Sequence, residues 1–180
     1  MHDTDRRVIY TKKILRSSLM KLLQDKPIGR ISVTELCNTA GVNRGTFYSH
    51  YRQPEDVMHQ IEDEIIGEIE KVLNSENDVH TIFRNIIQML DNNRSACRVL
   101  FGENGDPECV KRILAVSNKY FQEKWCPALG LTEQIGEYVH TFLSSGTAQV
   151  LREWLIGDDI RSAFEIADII TDLQKKVLQR

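Results

Sequence analysis

The residues best suited to chemistry lie in one stretch, residues 31–51, which reads Ile-Ser-Val-Thr-Glu-Leu-Cys-Asn-Thr-Ala-Gly-Val-Asn-Arg-Gly-Thr-Phe-Tyr-Ser-His-Tyr. Arg44 carries a planar fork of donors that matches a guanine edge or a phosphate. Gly45 removes a side chain, so the backbone there can approach a ligand closely. Thr46 can touch a thymine methyl or donate a hydrogen bond. Tyr48, Ser49 and His50 continue the polar surface, with Tyr48 four residues from Arg44 and so on the same helical face. Phe47 supplies the inward face, and Tyr51 also reads as core. The chemistry on offer is recognition of nucleic acid.

Catalytic and metal patterns are missing from the same reading. No G-x-S-x-G, phosphate-binding glycine loop or H-E-x-x-H occurs. The five histidines (His2, His50, His59, His80, His140) include no i, i+4 pair. The four cysteines at 37, 97, 109 and 126 form no C-x-x-C pair, so neither a zinc site nor a disulfide framework is expected. Cys37 reads as a small buried residue. The expectation is a chain that is no enzyme, needs no cofactor or metal, and lives in a reducing, cytoplasmic setting.

What must position the recognition residues is a pair of short helices. Ser32 and Glu35 make an S-x-x-E capping box that starts a helix near Val33. Gly41 can take the left-handed conformation that ends it. Asn43 can cap a second helix from Arg44. Leu36, Ala40, Val42 and Phe47 are spaced to pack the two together, as in a helix-turn-helix. Around this pair the 3.6-residue period recurs: Val8 to Leu23, Val57 to Leu73, Val79 to Leu90, Val110 to Phe121, Ile135 to Trp154 and Ile160 to Val177. Strand alternation is nearly absent. All four prolines fall between periodic stretches or at the start of one. Loops are expected over 74–78, 102–106, 127–132 and 157–159. The fold class is all-α with about nine helices: an N-terminal three-helix head bearing the helix-turn-helix and a larger helical body.

Charge divides the chain the same way. Residues 1–53 hold ten Lys/Arg against four acids, a net of +6, whereas residues 54–180 net −9. A basic head on an acidic body fits a polyanion that meets the head alone. The longest apolar run is four residues, 113–116, far short of the roughly 20 a membrane span needs. No basic region with an apolar stretch follows Met1, so no secretory signal is expected. The division drawn is 1–53 as head, 54–73 as connecting helix and 74–180 as regulatory and dimerisation body.

Ser32 through Tyr51, followed by Gln53-Pro54-Glu55-Asp56-Val57, resembles the TetR/AcrR family of bacterial transcriptional regulators. The likeness spans residues 7–73; beyond them only length and helical character agree. It implies recognition through Arg44, Gly45, Thr46, Tyr48, Ser49 and His50, with phosphate contacts from Ser32 and Thr34. Pro54 stands where the family often has a phosphate-contacting lysine, and Arg52 is near enough to substitute. The function implied is a sequence-specific regulator, a repressor by the family's common mode. It would bind a pseudo-palindromic double-stranded operator as a homodimer, with half-sites ~34–36 Å apart, and answer to a small-molecule effector. The alternative is a regulator-like interaction module or coactivator that has lost operator binding and works through a protein partner.

Helices expected at 132–156 and 160–178 carry apolar stripes wide enough for core and partner. Phe142, Gly146, Val150, Trp154, Phe164 and Leu173 are the dimerisation candidates. Within the body, His80, Phe83, Met89, Tyr120, Trp125, Tyr138 and His140 are its polar-tipped or soft residues. Phe83, Met89, Tyr120 and Tyr138 are taken as the effector-pocket candidates, though each also suits plain core or surface. Gly67 lies inside the connecting helix that would couple pocket to head.

Overall fold

The computed structural model describes residues 3–75 and 78–178, with side chains from residue 6 onward. Among these residues the only regular secondary structure is helical. We number nine helices: α1 (Asp3–Leu22), α2 (Val33–Ala40), α3 (Arg44–Tyr48), α4 (Pro54–Ser75), α5 (Val79–Asn92), α6 (Arg94–Leu100), α7 (starting at Pro107–Tyr120), α8 (Glu133–Ile156) and α9 (Ala163–Leu178). α7 runs on through a π turn, Phe121–Trp125, and a last turn, Cys126–Ala128.

The head forms as its caps dictate. Ser32 Oγ accepts the Glu35 N–H at 3.2 Å and opens α2. Gly41 closes that helix at φ 64°, a conformation that costs a side-chain-bearing residue about 1–2 kcal/mol. Asn43 Oδ1 then accepts the Thr46 N–H at 2.7 Å and starts α3. Leu15, Leu19, Leu36, Phe47 and Val57 bring α1, α2, α3 and α4 onto one fully buried centre. At the mouth of α4 the Asp56 carboxylate accepts the N–H groups of Arg52 (2.7 Å) and Gln53 (3.2 Å). Pro54, buried at the first turn, lacks an N–H that this end could not have used.

α4 continues into the body, burying Ile61, Ile65, Ile69 and Leu73, so one contiguous core reaches from head to far end. α5 packs along α9, and α7 lies against α4 and α8. Gly136 lets α8 approach the last turn of α7, since a Cβ there would sit 2.5 Å from Cys126 Sγ.

α6 went unread in the sequence. Its arginines explain its place: Arg98 Nε donates to Leu155 O at 2.7 Å, and Arg94 donates to Trp154 O at 3.1 Å. Two cations thus meet the carbonyl end of α8, where the helix dipole favours positive charge. α9 starts at Ala163, three residues later than the periodicity suggests, because Ile160 stands almost fully exposed in the connecting loop. The loop expected over 74–78 falls partly on residues 76 and 77, outside the described residues. α4 itself holds to Ser75.

Candidate nucleic-acid interface

α3 turns Phe47 wholly inward and presents Arg44, Gly45, Tyr48 and Ser49 to solvent, with Thr46 and His50 half-buried beside them. Tyr48 is 51% exposed although it packs edge-on against Phe47, 5.5 Å between ring centroids. The nearby Tyr48 hydroxyl pushes the already high pKa of the Arg44 guanidinium further up. The two side chains lie four residues apart and so share one exposed face. Ser49 Oγ donates to Thr46 O at 2.7 Å, leaving its lone pairs outward. Ser32 and Thr34 are exposed at the start of α2. Arg52 is exposed just beyond α3. Tyr51 is buried, as its spacing indicates, and its hydroxyl donates to Gln60 Oε1 at 2.5 Å, tying α3 to α4. Not all the head's cations face outward freely: Lys26 pairs with Glu35 and Arg16 with Glu64.

The body encloses a cavity of about 390 Å³ between α4, α5, α7 and α8. That size suits a small molecule. Phe83 and Tyr120 line it, as do Trp125 and His140. Met89 and Tyr138 do not, which corrects the expectation for both. Met89 packs against the core on another side of α5, and Tyr138 points to solvent from the outer face of α8. Ser117 and His140 are 23 residues apart, which no local pattern links, yet Ser117 Oγ lies 2.8 Å from His140 Nε2. On the same wall Gln174 donates to Thr147 at 3.0 Å. With Ser144, Ser145, Gln149 and Arg152 these are the polar groups in a mostly apolar lining.

Burial pushes His140 below the usual histidine range. Its neutral form is therefore favoured in the fold, while the unfolded chain takes up a proton near pH ~6.5. Stability must then fall as pH drops through that value, levelling only below the folded pKa. We expect His140→Gln to shrink the Tm difference between about pH 7.5 and 5.5, read by thermal denaturation. An unchanged difference would place the acid sensitivity elsewhere. Burial also pushes the Cys97 and Cys109 thiols up to about 12, so both stay protonated and unreactive.

The dimerisation candidates separate on inspection. Phe142 is 67% exposed, with Ile135, Tyr138 and Gly146 beside it on the outer face of α8 and Val150 at its edge. Trp154 is only 2% exposed, so it cannot contribute to a surface. Its indole N–H donates to Arg161 O at 2.9 Å, and Arg94 stacks 4.3 Å from the ring centroid. Phe164 is also displaced from the expected face. It lies beneath Arg84 of α5, 4.5 Å from ring centroid to guanidinium, on the flank of α9 opposite Leu173. Nine residues separate Phe164 from Leu173, which is about half a turn in angle.

Helices throughout the described residues, a capped helix-turn-helix head and a cavity-bearing body make the architecture of a transcriptional regulator. Residues 77–176 match the C-terminal region of TetR-type transcriptional regulators. The chain belongs to the TetR/AcrR family. Solved structures share the fold over almost the whole length. A TetR transcriptional regulator from Streptococcus agalactiae 2603V is 19% identical, with 98% of each chain covered and a TM-score of 0.69. NalD, the secondary repressor of the MexAB-OprM multidrug efflux pump in Pseudomonas aeruginosa, is 15% identical over 98% of this chain and 97% of its own, at 0.71. The dihydroxyacetone kinase operon activator DhaS is 18% identical over 95% and 97%, at 0.64.

Proposed function

We propose that the chain is a homodimeric transcriptional repressor that reads a two-fold symmetric operator through α3 and releases it when an apolar effector fills the body cavity. The observation that carries this reading is the exposure of Arg44 and Tyr48 on one face of a helix fixed from behind by Phe47. In this reading Arg44, Gly45, Thr46, Tyr48, Ser49 and His50 meet base edges, while Ser32, Thr34 and Arg52 hold phosphates. Residues 1–53 act as the head, 54–73 as the connecting helix and 74–180 as the body. Phe142, Gly146 and Val150 of α8 and Leu173 of α9 form the self-complementary face. Phe83, Tyr120 and the Ser117–His140 pair meet the effector. The chain works where the genome is, in the cytoplasm. Among the described residues no helix is long and apolar enough to cross a membrane.

The test is selection of sites by the purified protein from a random duplex pool near physiological salt. The expected result is a two-fold symmetric motif whose binding weakens steeply as salt rises. Folded protein that recovers no motif would overturn the operator reading and favour a protein partner.

A further inference from the structure

Away from both the head surface and the cavity, α4 and α7 bring together three side chains that the reading above does not use. His59 and Glu62 lie three residues apart, so they share one side of α4. Asp106 caps the N-terminus of α7. Their nearest ligand-type atoms all fall within 4.8 Å of one another, and His59 Nε2 stands 4.0 Å from Asp106 Oδ2. Glu62 is 1% exposed, and its Oε1 has no hydrogen-bond partner. Its other oxygen lies 3.5 Å from Arg112, which is itself bonded to Asp63. A buried carboxylate oxygen left bare is costly and calls for a counterpart. Asp106 is already oriented, because its Oδ1 accepts the Glu108 N–H at 2.9 Å and leaves Oδ2 facing His59.

We infer that His59, Glu62 and Asp106 bind a first-row divalent metal ion of the Zn²⁺ class. One imidazole and two carboxylates neutralise a double positive charge. The imidazole selects such ions over Mg²⁺ and Ca²⁺, which take oxygen alone. Ligands held ~2.0–2.2 Å from one ion sit closer together than these three do. Closure needs a shift of about an ångström, which the exposed ring of His59 can supply by turning. The ion meets the bare oxygen of Glu62, and water completes its shell. Because α4 leads from head to body, the ion clamps that helix to the start of α7 and fixes the head's setting. Only this last consequence rests on the DNA-binding reading.

The test uses the full chain after chelator treatment, titrated with Zn²⁺ in the presence of excess Mg²⁺ by calorimetry. One ion per chain should bind, and Co²⁺ in its place should give a spectrum with no sulfur-to-metal band. His59→Ala, which alters an exposed side chain, and Glu62→Gln should each weaken binding by at least about tenfold, since even outer partners of a metal ligand are worth that much. Equal Zn²⁺ binding by wild type and by a folded His59→Ala variant would overturn the site and leave His59 as an ordinary ion-pair partner of Asp106. A thiolate band would overturn the ligand set. Zn²⁺ should also change operator affinity in wild type and not in His59→Ala. If the chain binds no DNA, the calorimetry still decides the site.

Discussion

Arg44→Ala is expected to lose operator binding while the protein stays folded and dimeric. A bidentate arginine–guanine contact is worth about 1–3 kcal/mol. A homodimer on two half-sites loses it twice, so roughly 2–6 kcal/mol, or ~30-fold to 10⁴-fold in Kd, is at stake. The fold has no share in that loss. Arg44 is exposed, and the cap of α3 is Asn43, whose Oδ1 holds the Thr46 N–H. Tyr48→Ala should follow the same course, because the two side chains are four residues apart and present one exposed surface. Arg52→Ala should behave differently, weakening all sequences alike and flattening the salt dependence by about one unit of log–log slope per site. Fluorescence anisotropy on a selected operator, repeated across salt concentrations, separates the two patterns. Wild-type affinity in a folded Arg44→Ala protein would show that α3 does not read the site.

The head was legible because its signals are local. Ser32, Asn43 and Gly41 each act within three or four residues, and the structure places each where its chemistry asks. Phe47 and Tyr48 sorted correctly into buried and exposed because a five-residue helix has only one inward face, and Tyr51, four residues past Phe47, is buried as its spacing indicates. The body was legible in its periods and much less in its contacts. An apolar stripe announces that something covers it, but not whether the cover is the same chain or a partner. Trp154 shows the difference. Twelve residues past Phe142, it is turned about 120° around α8, which carries it from the outer face into the core. Met89 and Tyr138 failed as cavity residues on the same ground. α6 lacked a stripe altogether. Its two arginines find carbonyls some 60 residues away in sequence, 94 to 154 and 98 to 155, a pairing that no local pattern encodes. The His59–Glu62–Asp106 group is hidden likewise, since Asp106 comes from a different helix.

The correction of Trp154 sharpens the dimer prediction. Ile135, Tyr138 and Phe142 recur at i, i+3 and i+7 on α8 and stay exposed, although none is needed by the core. Exposed aromatic rings in one stripe mark a contact surface. On α9, Ile169 and Leu173 extend it from the flank nearer α8. In a two-fold interface each residue occurs twice. Losing an anchor worth at least ~2 kcal/mol in each copy therefore weakens association by about 4 kcal/mol, roughly a thousandfold. Phe142→Glu should accordingly yield a folded monomer, seen as halved mass in sedimentation with an unchanged helical spectrum, and its operator affinity should fall because the two heads are no longer linked. Trp154→Ala should do the reverse. It removes a packed ring, a hydrogen bond to Arg161 and the stack with Arg94, at about 3–5 kcal/mol of folding stability, while whatever remains folded still pairs. If Phe142→Glu sediments as a dimer, the outer face of α8 is not the interface, and the partner surface must be sought on another side of the body.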